Sequence, residues 1–193
     1  MNILSNTPMN LRRKTLFILG LLLLGAVALI LGVSYTVLIG SYAGFEEQSS
    51  RDSVVQGLKA IDYERSLIES KCGEWSRWDE TYSFISGNNP GYVKQNLNTD
   101  SFDNLGVDLF VILNQTRSVR FATWYNSTSH LTSDLQPGDL SSLVNASYLY
   151  THGDLISSRS GFLIRGPDPM LVVSQPVLTS QYEGPSAGYL LLG

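Results

Sequence analysis

Residues 71–80 read Lys-Cys-Gly-Glu-Trp-Ser-Arg-Trp-Asp-Glu and hold two of the chain's three tryptophans, Trp75 and Trp78, with Asp79 directly after the second. Steps of four and three from Val54 pass through this stretch: Val54, Leu58, Ile61, Arg65, Ile68, Cys72, Trp75, Asp79 and Tyr82. That is the spacing of a helix with a heptad seam, interrupted at Arg65 and Asp79. Glu46, Glu47, Arg51, Asp52, Lys59, Glu64, Glu69 and Lys71 fall between the seam positions and supply a wet face. The spacing predicts one long helix from Glu46 to about Phe84. Gly57 and Gly73 each cost about 1 kcal/mol against alanine, so this helix needs a surface to pack on. A second copy of the helix and a β-sheet both satisfy the seam, and both can hold on different stretches.

Upstream, no charged residue occurs from Thr15 to Phe45, and Leu16 to Ile39 is almost wholly apolar. About 20 such residues span a bilayer, whereas the core of a signal peptide has roughly 7–15. Ser41-Tyr42-Ala43 is a weak match to a cleavage site, so residues 15–40 are expected to be a retained transmembrane helix with the lipid bilayer as partner. Arg12, Arg13 and Lys14 precede it, and the next basic residue is Arg51. The positive-inside rule then puts residues 1–14 in the cytoplasm and residues 46–193 outside, a single-pass arrangement.

The outer part carries all seventeen acidic residues and ten of the thirteen basic ones, a formal charge of −7. That balance argues against nucleic acid as a partner. The single cysteine, Cys72, excludes an intrachain disulfide; it reads as a small buried residue or as a crosslink between copies. Three Asn-x-Ser/Thr sequons begin at Asn114, Asn126 and Asn145 and fit an exported surface.

After the helix, Ser86-Gly-Asn-Asn-Pro-Gly91 supplies turn chemistry. Val107–Leu113 is a short apolar run, read as a buried strand, and Val119–Tyr125 follows as its hairpin partner. In that partner Val119, Phe121 and Tyr125 are expected on one side, and Arg120, Ala122 and Trp124 on the other. Asn126–Gly138 reads as a polar loop, with Asp139 capping a short helix from Leu140 to about Ala146. Strands are expected at Gly161–Arg165, Met170–Leu178 and Ala187–Leu192. The fold class is α+β: a membrane helix continuing into a long helix, packed on a five-stranded antiparallel sheet of PAS or Cache type, with helices on one face. The final stretch Gly188-Tyr-Leu-Leu-Leu-Gly193 stops on the apolar residues of a strand, which reads as a truncation of a longer receptor.

With the pattern in place, Trp75-x-x-Trp78-Asp79 on a post-membrane helix resembles the start of the CHASE4 domain, an extracytoplasmic sensor module of prokaryotic signalling proteins. Asn96-Leu97, Phe102, Val107-Asp108 and Val111-Ile-Leu-Asn114 are similar to its approach to the first strand and turn. Ser174-Gln-Pro176-Val-Leu-x-Ser180 and Gly184-Pro185-x-x-Gly188-Tyr-Leu-Leu are similar to its closing strands. The resemblance covers roughly residues 50–193. It implies a ligand-sensing domain between two membrane helices, followed by a histidine kinase, a cyclic-dinucleotide enzyme or a similar output. Two departures stand out: neither a second span nor an output domain is in this sequence, and the turn Asn114–Arg117 lacks the expected glycine.

The candidate ligand-binding residues are Trp78, Asp79, Tyr82, Arg120 and Trp124. On a helix, residues three and four apart are neighbours, so Trp75 lies over Trp78 and Asp79, and Trp78 over Tyr82. These rings and the carboxylate serve either as the wall of a pocket or as the anchor of helix on sheet. Arg120 and Trp124, four apart on a strand, present a guanidinium that can meet a ligand carboxylate, or an exposed face. Tyr150 and Arg165 are weaker candidates. His130 and His152 lie in separate loops with no metal-site spacing, and neither a nucleophile elbow nor a phosphate loop occurs. The sequence therefore predicts no catalysis by this chain alone, no cofactor and no metal. It predicts the sensor module of a transmembrane receptor, working as a homodimer on an unidentified small-molecule ligand. The alternative is a single-span cell-surface protein with a structural or interaction role.

Overall fold

The computed structural model describes residues 11–165 and 168–193. The chain divides inside its first helix into two compact units, one ending at Leu58 and one running from Lys59 to Gly193. The elements are α1 (Leu11–Ser76), α2 (Asp79–Ile85), α3 (Tyr92–Asn96), α4 (Thr99–Leu105), β1 (Leu109–Asn114), β2 (Val119–Asn126), β3 (Leu131–Ser133), α5 (Pro137–Asn145), a 3-10 turn (Ser147–Tyr150), β4 (Arg159–Arg165), β5 (Asp168–Val177) and β6 (Gly188–Leu192).

In the first unit, Leu11–Val37 of α1 is long and apolar enough to cross a membrane by length and composition. In the second, six strands form one antiparallel sheet in the order β3-β2-β1-β6-β5-β4. The sheet thus has six strands, not five. The extra strand, β3, lies in the stretch read as a polar loop. Leu-Thr-Ser carries too little apolar pattern to announce itself. It is set by a turn in which the Asn126 side chain accepts from the Thr128 and Ser129 amides and His130 takes a left-handed conformation (φ 56°).

β1 and β6 lie at the centre of the sheet and are buried on both sides, which explains their continuous apolar runs. Alternate residues feed two cores. Phe110, Ile112, Leu190 and Leu192 join Cys72 of α1, Tyr92 of α3 and Phe102 of α4 on what we term the helical face. Leu109, Val111, Leu113 and Leu191 join Leu143 of α5 and Leu149 of the 3-10 turn on the insert face. Helical elements therefore cover both faces, not one. Gly188 fits where β6 passes Asn114: a Cβ there would fall 2.0 Å from the Leu113 carbonyl oxygen.

Three local readings change. α5 begins earlier than expected, with Pro137 as its first residue, so Asp139 sits in the first turn and is not the cap. The β1–β2 turn does without glycine because Arg117 itself takes the left-handed position (φ 60°), while Asn114 Oδ1 accepts from Ser118 N at 2.8 Å and Thr116 Oγ1 at 2.8 Å. The register of β1 and β2 slips between Ile112 and Leu113, so Val119 faces Leu113 and Arg120 is the extra residue of a bulge. The simple alternation expected for β2 holds from Phe121 to Tyr125 and fails at Val119 and Arg120.

Candidate functional site

The long helix does not run to Phe84. α1 stops at Ser76, Trp78 is extended (φ −104°, ψ 128°), and α2 restarts at Asp79. No glycine or proline marks this break; the sheet makes it. The Ser76 carbonyl accepts from Leu178 N at 2.9 Å, so the residue just past β5 takes an acceptor that a continuing helix would use.

The last turns of α1 are fastened to β5 and β6 by buried polar groups. The Ser76 hydroxyl donates to Gln175 Oε1 at 3.2 Å, and Gln175 Nε2 donates to the Glu69 carbonyl at 3.1 Å. Cys72 Sγ lies 3.5 Å from the Leu190 carbonyl oxygen, and burial pushes its thiol far above the ordinary range. Such a cysteine is a weak donor in the core, inert to crosslinking unless the domain opens. Gly73 permits this approach, since a Cβ there would meet the Gln175 and Arg77 side chains at 3.3 Å.

Beyond the break, the loop after β5 is held by α2. The Asp79 carboxylate accepts from Ser180 N at 2.8 Å and from Ser180 Oγ at 2.7 Å. These two bonds favour the ionised form and hold the Asp79 carboxyl below its usual range. Tyr82 reaches the Pro185 carbonyl at 3.5 Å. The Arg77 guanidinium lies 5.2 Å from the centre of the Tyr182 ring and donates to the Ile156 carbonyl at 3.0 Å. Trp75 packs edge-on against both Trp78 (5.5 Å) and Phe110 (5.6 Å), which ties the junction to β1. Glu74, Trp75, Arg77 and Trp78 border a cavity of about 220 Å³.

Of the five expected ligand residues, Trp78, Asp79 and Tyr82 come together at this junction. The other two lie elsewhere. Arg120 is exposed at its bulge. Trp124 is buried on the insert face, where it lines a cavity of about 330 Å³ with Asp108, Asn126 and Ser133. The Arg165 side chain lies outside the described residues. Tyr150 is buried, its hydroxyl donating to the Leu143 carbonyl at 2.8 Å.

Sequence reasoning missed several participants. Ser180, Gln175 and Leu178 act through long-range pairing; the stretch Ser174-Gln-Pro176-Val-Leu-x-Ser180 marks them by resemblance, but no periodicity shows what they hold. Arg117 lies 4.9 Å from the centre of the Tyr150 ring, and its one sequence signal was the missing glycine of the turn. His152 stacks on Tyr189 (5.8 Å, 18°), and Tyr150 meets Tyr189 edge-on at 4.9 Å. Among the described residues, no group of three His, Cys, Asp or Glu side chains is placed to hold a metal ion.

Solved structures share this fold. The extracellular domain of vpHK1S-Z8, named as a histidine kinase, matches with a TM-score of 0.50 and 11% identity over 69% of this chain and 51% of that one. A domain of a sensory box/GGDEF family protein from Vibrio parahaemolyticus matches with a TM-score of 0.50 and 10% identity, over 69% of this chain and 54% of that one. At these identities the likeness concerns the fold. The family model of the CHASE4 domain matches residues 60–193, and the chain belongs to that family. The chain is also 25% identical over 188 residues to the methanogenesis regulatory histidine kinase FilI of Methanothrix harundinacea, covering 96% of this chain and 21% of that protein. It thus spans about a fifth of the relative's length.

Proposed function

We propose that this CHASE4 chain is the extracytoplasmic ligand-sensing part of a transmembrane signal-transduction receptor. Residues 15–40 cross the bilayer, residues 1–14 lie in the cytoplasm, and the output is of histidine kinase or cyclic-dinucleotide type. The kinship with a histidine kinase supports the output class. The observation that carries the reading is the fastening of α1 to the sheet. Ser76, Asp79 and Gln175 join the helix end to β5 and to the loop behind it. A ligand that favours one arrangement of that loop also favours one arrangement of the helix, and differential affinity for two such states is all that signalling requires. In this reading Asp79 transmits, Trp78 and Tyr82 flank it, and Trp124 is a ligand contact from its own cavity. Arg120, exposed at its bulge and outside the lining of that cavity, is a second contact.

Hydrogen exchange on the full chain in dodecyl maltoside tests the coupling, with amino acids, organic acids and amines screened first by thermal shift. A bound ligand raises the melting temperature with its excess over the dissociation constant. The expected result is a ligand that alters exchange in residues 69–79 of the wild type, and an Asp79→Ala protein that still binds but loses the alteration. A saturating ligand that leaves the helix unchanged counts against the proposal.

Two copies are expected to associate through α1, where Val54 and Leu58 are 63% and 59% exposed. Oxidative crosslinking of Leu58→Cys in membranes reads this out. A monomer at all densities would contradict it.

A further inference from the structure

A cavity of about 290 Å³ opens on the insert face, between the loop after the 3-10 turn and the loop after β5. Tyr150, His152, Tyr189 and Pro176 line it, with Leu155, Ser186 and the side chain of Asp154. This lining is mostly rings. Tyr189 contacts each of the other two aromatic groups at the distances given above. Among the described residues, Asp154 is the one acidic side chain of the lining, and neither lysine nor arginine belongs to it.

We infer that this cavity binds a small organic ammonium ion, with the Tyr150, His152 and Tyr189 rings around the cation and the Asp154 carboxylate beside it. The assignment rests on the sensor reading and gives it a ligand site of stated class in a cavity separate from the one Trp124 lines. Ring faces carry negative potential and attract a poorly hydrated cation, while alkylated nitrogen also gains from leaving water. Arg117 already shows a cation on a Tyr150 face at 4.9 Å, from outside the cavity lining. Two further nearby cations are engaged with carbonyls: Arg159 donates to that of Thr151 at 2.7 Å and Arg77 to that of Ile156 at 3.0 Å. Asp154 accepts from Ile156 N (2.9 Å) and Ser157 N (2.6 Å) through Oδ1, and these bonds hold its carboxyl ionised by pulling it below the usual range. His152 donates from Nδ1 to the Ser157 carbonyl at 2.9 Å, and burial holds the ring below its ordinary value, so it does not repel a cation near neutrality. The volume sits at the small end of ligand cavities, which run from about 300 Å³ upward, and this favours a compact ion.

The position also suits signalling. Leu155 packs so closely on Gly184 that a Cβ there would come within 3.0 Å of it. Gly184 belongs to the loop that Asp79 holds through Ser180. An ion entering the cavity therefore meets one side of a loop whose other side is fastened to α2.

The test compares choline with its uncharged isostere 3,3-dimethylbutan-1-ol, using the full chain in dodecyl maltoside and thermal shift. Choline is expected to give a saturable rise and the alcohol none. Asp154→Asn keeps an Oδ1 acceptor for the turn and removes the charge; Tyr189→Leu removes one ring. Each is expected to weaken choline binding about tenfold. If Tyr189→Leu fails to fold, the exposed Asp154→Asn decides alone. No choline response, equal response to the alcohol, or full affinity in the folded Asp154→Asn protein would overturn the assignment. A ligand of another class that alters exchange in residues 69–79 would keep the sensor reading and remove the ammonium ion from it. Saturating choline without that change would keep the cage and remove the coupling.

Discussion

The two faces of the sheet are packed by different means. On the helical face, rings fill the space: Trp75, Phe110, Phe102 and Tyr125 form a chain of contacts 5.1–5.9 Å apart, and Tyr92 stacks on Phe84. Each pair adds about 0.5–1.5 kcal/mol beyond its area, and the polar groups at the helix end point into the sheet. On the insert face, a short helix and a 3-10 turn cover the aliphatic core, and Tyr150, His152 and Tyr189 gather at one end around a cavity, apart from Trp124. A dense face with fastened polar groups suits transmission. A face roofed by loops suits entry, because loops open at lower cost than packed helices.

The largest expected effect breaks the dense face. Phe110→Ala, at a fully buried position, should cost about 3–5 kcal/mol of stability in urea unfolding. A loss below about 1 kcal/mol would mean that the ring cluster is not the core described above. Gly188→Ala comes next, because its Cβ would overlap the β1 backbone. A loss of about 1–3 kcal/mol is expected, with both faces affected since β1 and β6 feed both cores. Wild-type stability here would show that the strands part without penalty.

Acid should separate the faces. His152 is held below its ordinary value of 6.5 by burial. Its folded form resists protonation, so the stability it contributes is present above 6.5 and is lost as pH falls below that value. Asp79 is held below 3.8 by its bonds to Ser180. Its contribution is present above 3.8 and is lost only as pH falls through the lower folded value. Hydrogen exchange should therefore rise first in residues 147–158, as pH falls below 6.5, and in residues 76–82 only below 3.8, since those ordinary values set the upper ends of the two windows. His152→Gln should remove the first step, and Asp79→Asn should flatten the second. Simultaneous opening of both faces would show that they are not separable.

Trp75 and Cys72 were legible from the sequence because helical periodicity is a local property, and they do pack on the sheet. The same periodicity ran on past Ser76 and misplaced the helix end, since the backbone there is redirected by Leu178, about a hundred residues away. β1, β5 and β6 were legible as apolar runs, whereas β3 exists through its pairing with β2. Trp78, Asp79 and Tyr82 were read as one cluster, which the junction contains. Arg120 was grouped with Trp124 by alternation, and one inserted residue at the bulge undid that grouping.

The sequence by itself determined the apolar stretch, the amphipathic helix, the central strands and the acidic outer part, because each depends on composition and on periods of two or 3.6 residues. The tertiary structure alone decided where α1 ends, which loop Asp79 holds, and that Tyr150, His152 and Tyr189 share a cavity. Those facts depend on contacts between segments far apart in the chain, whose geometry follows from sheet order and register and leaves no trace in any local pattern.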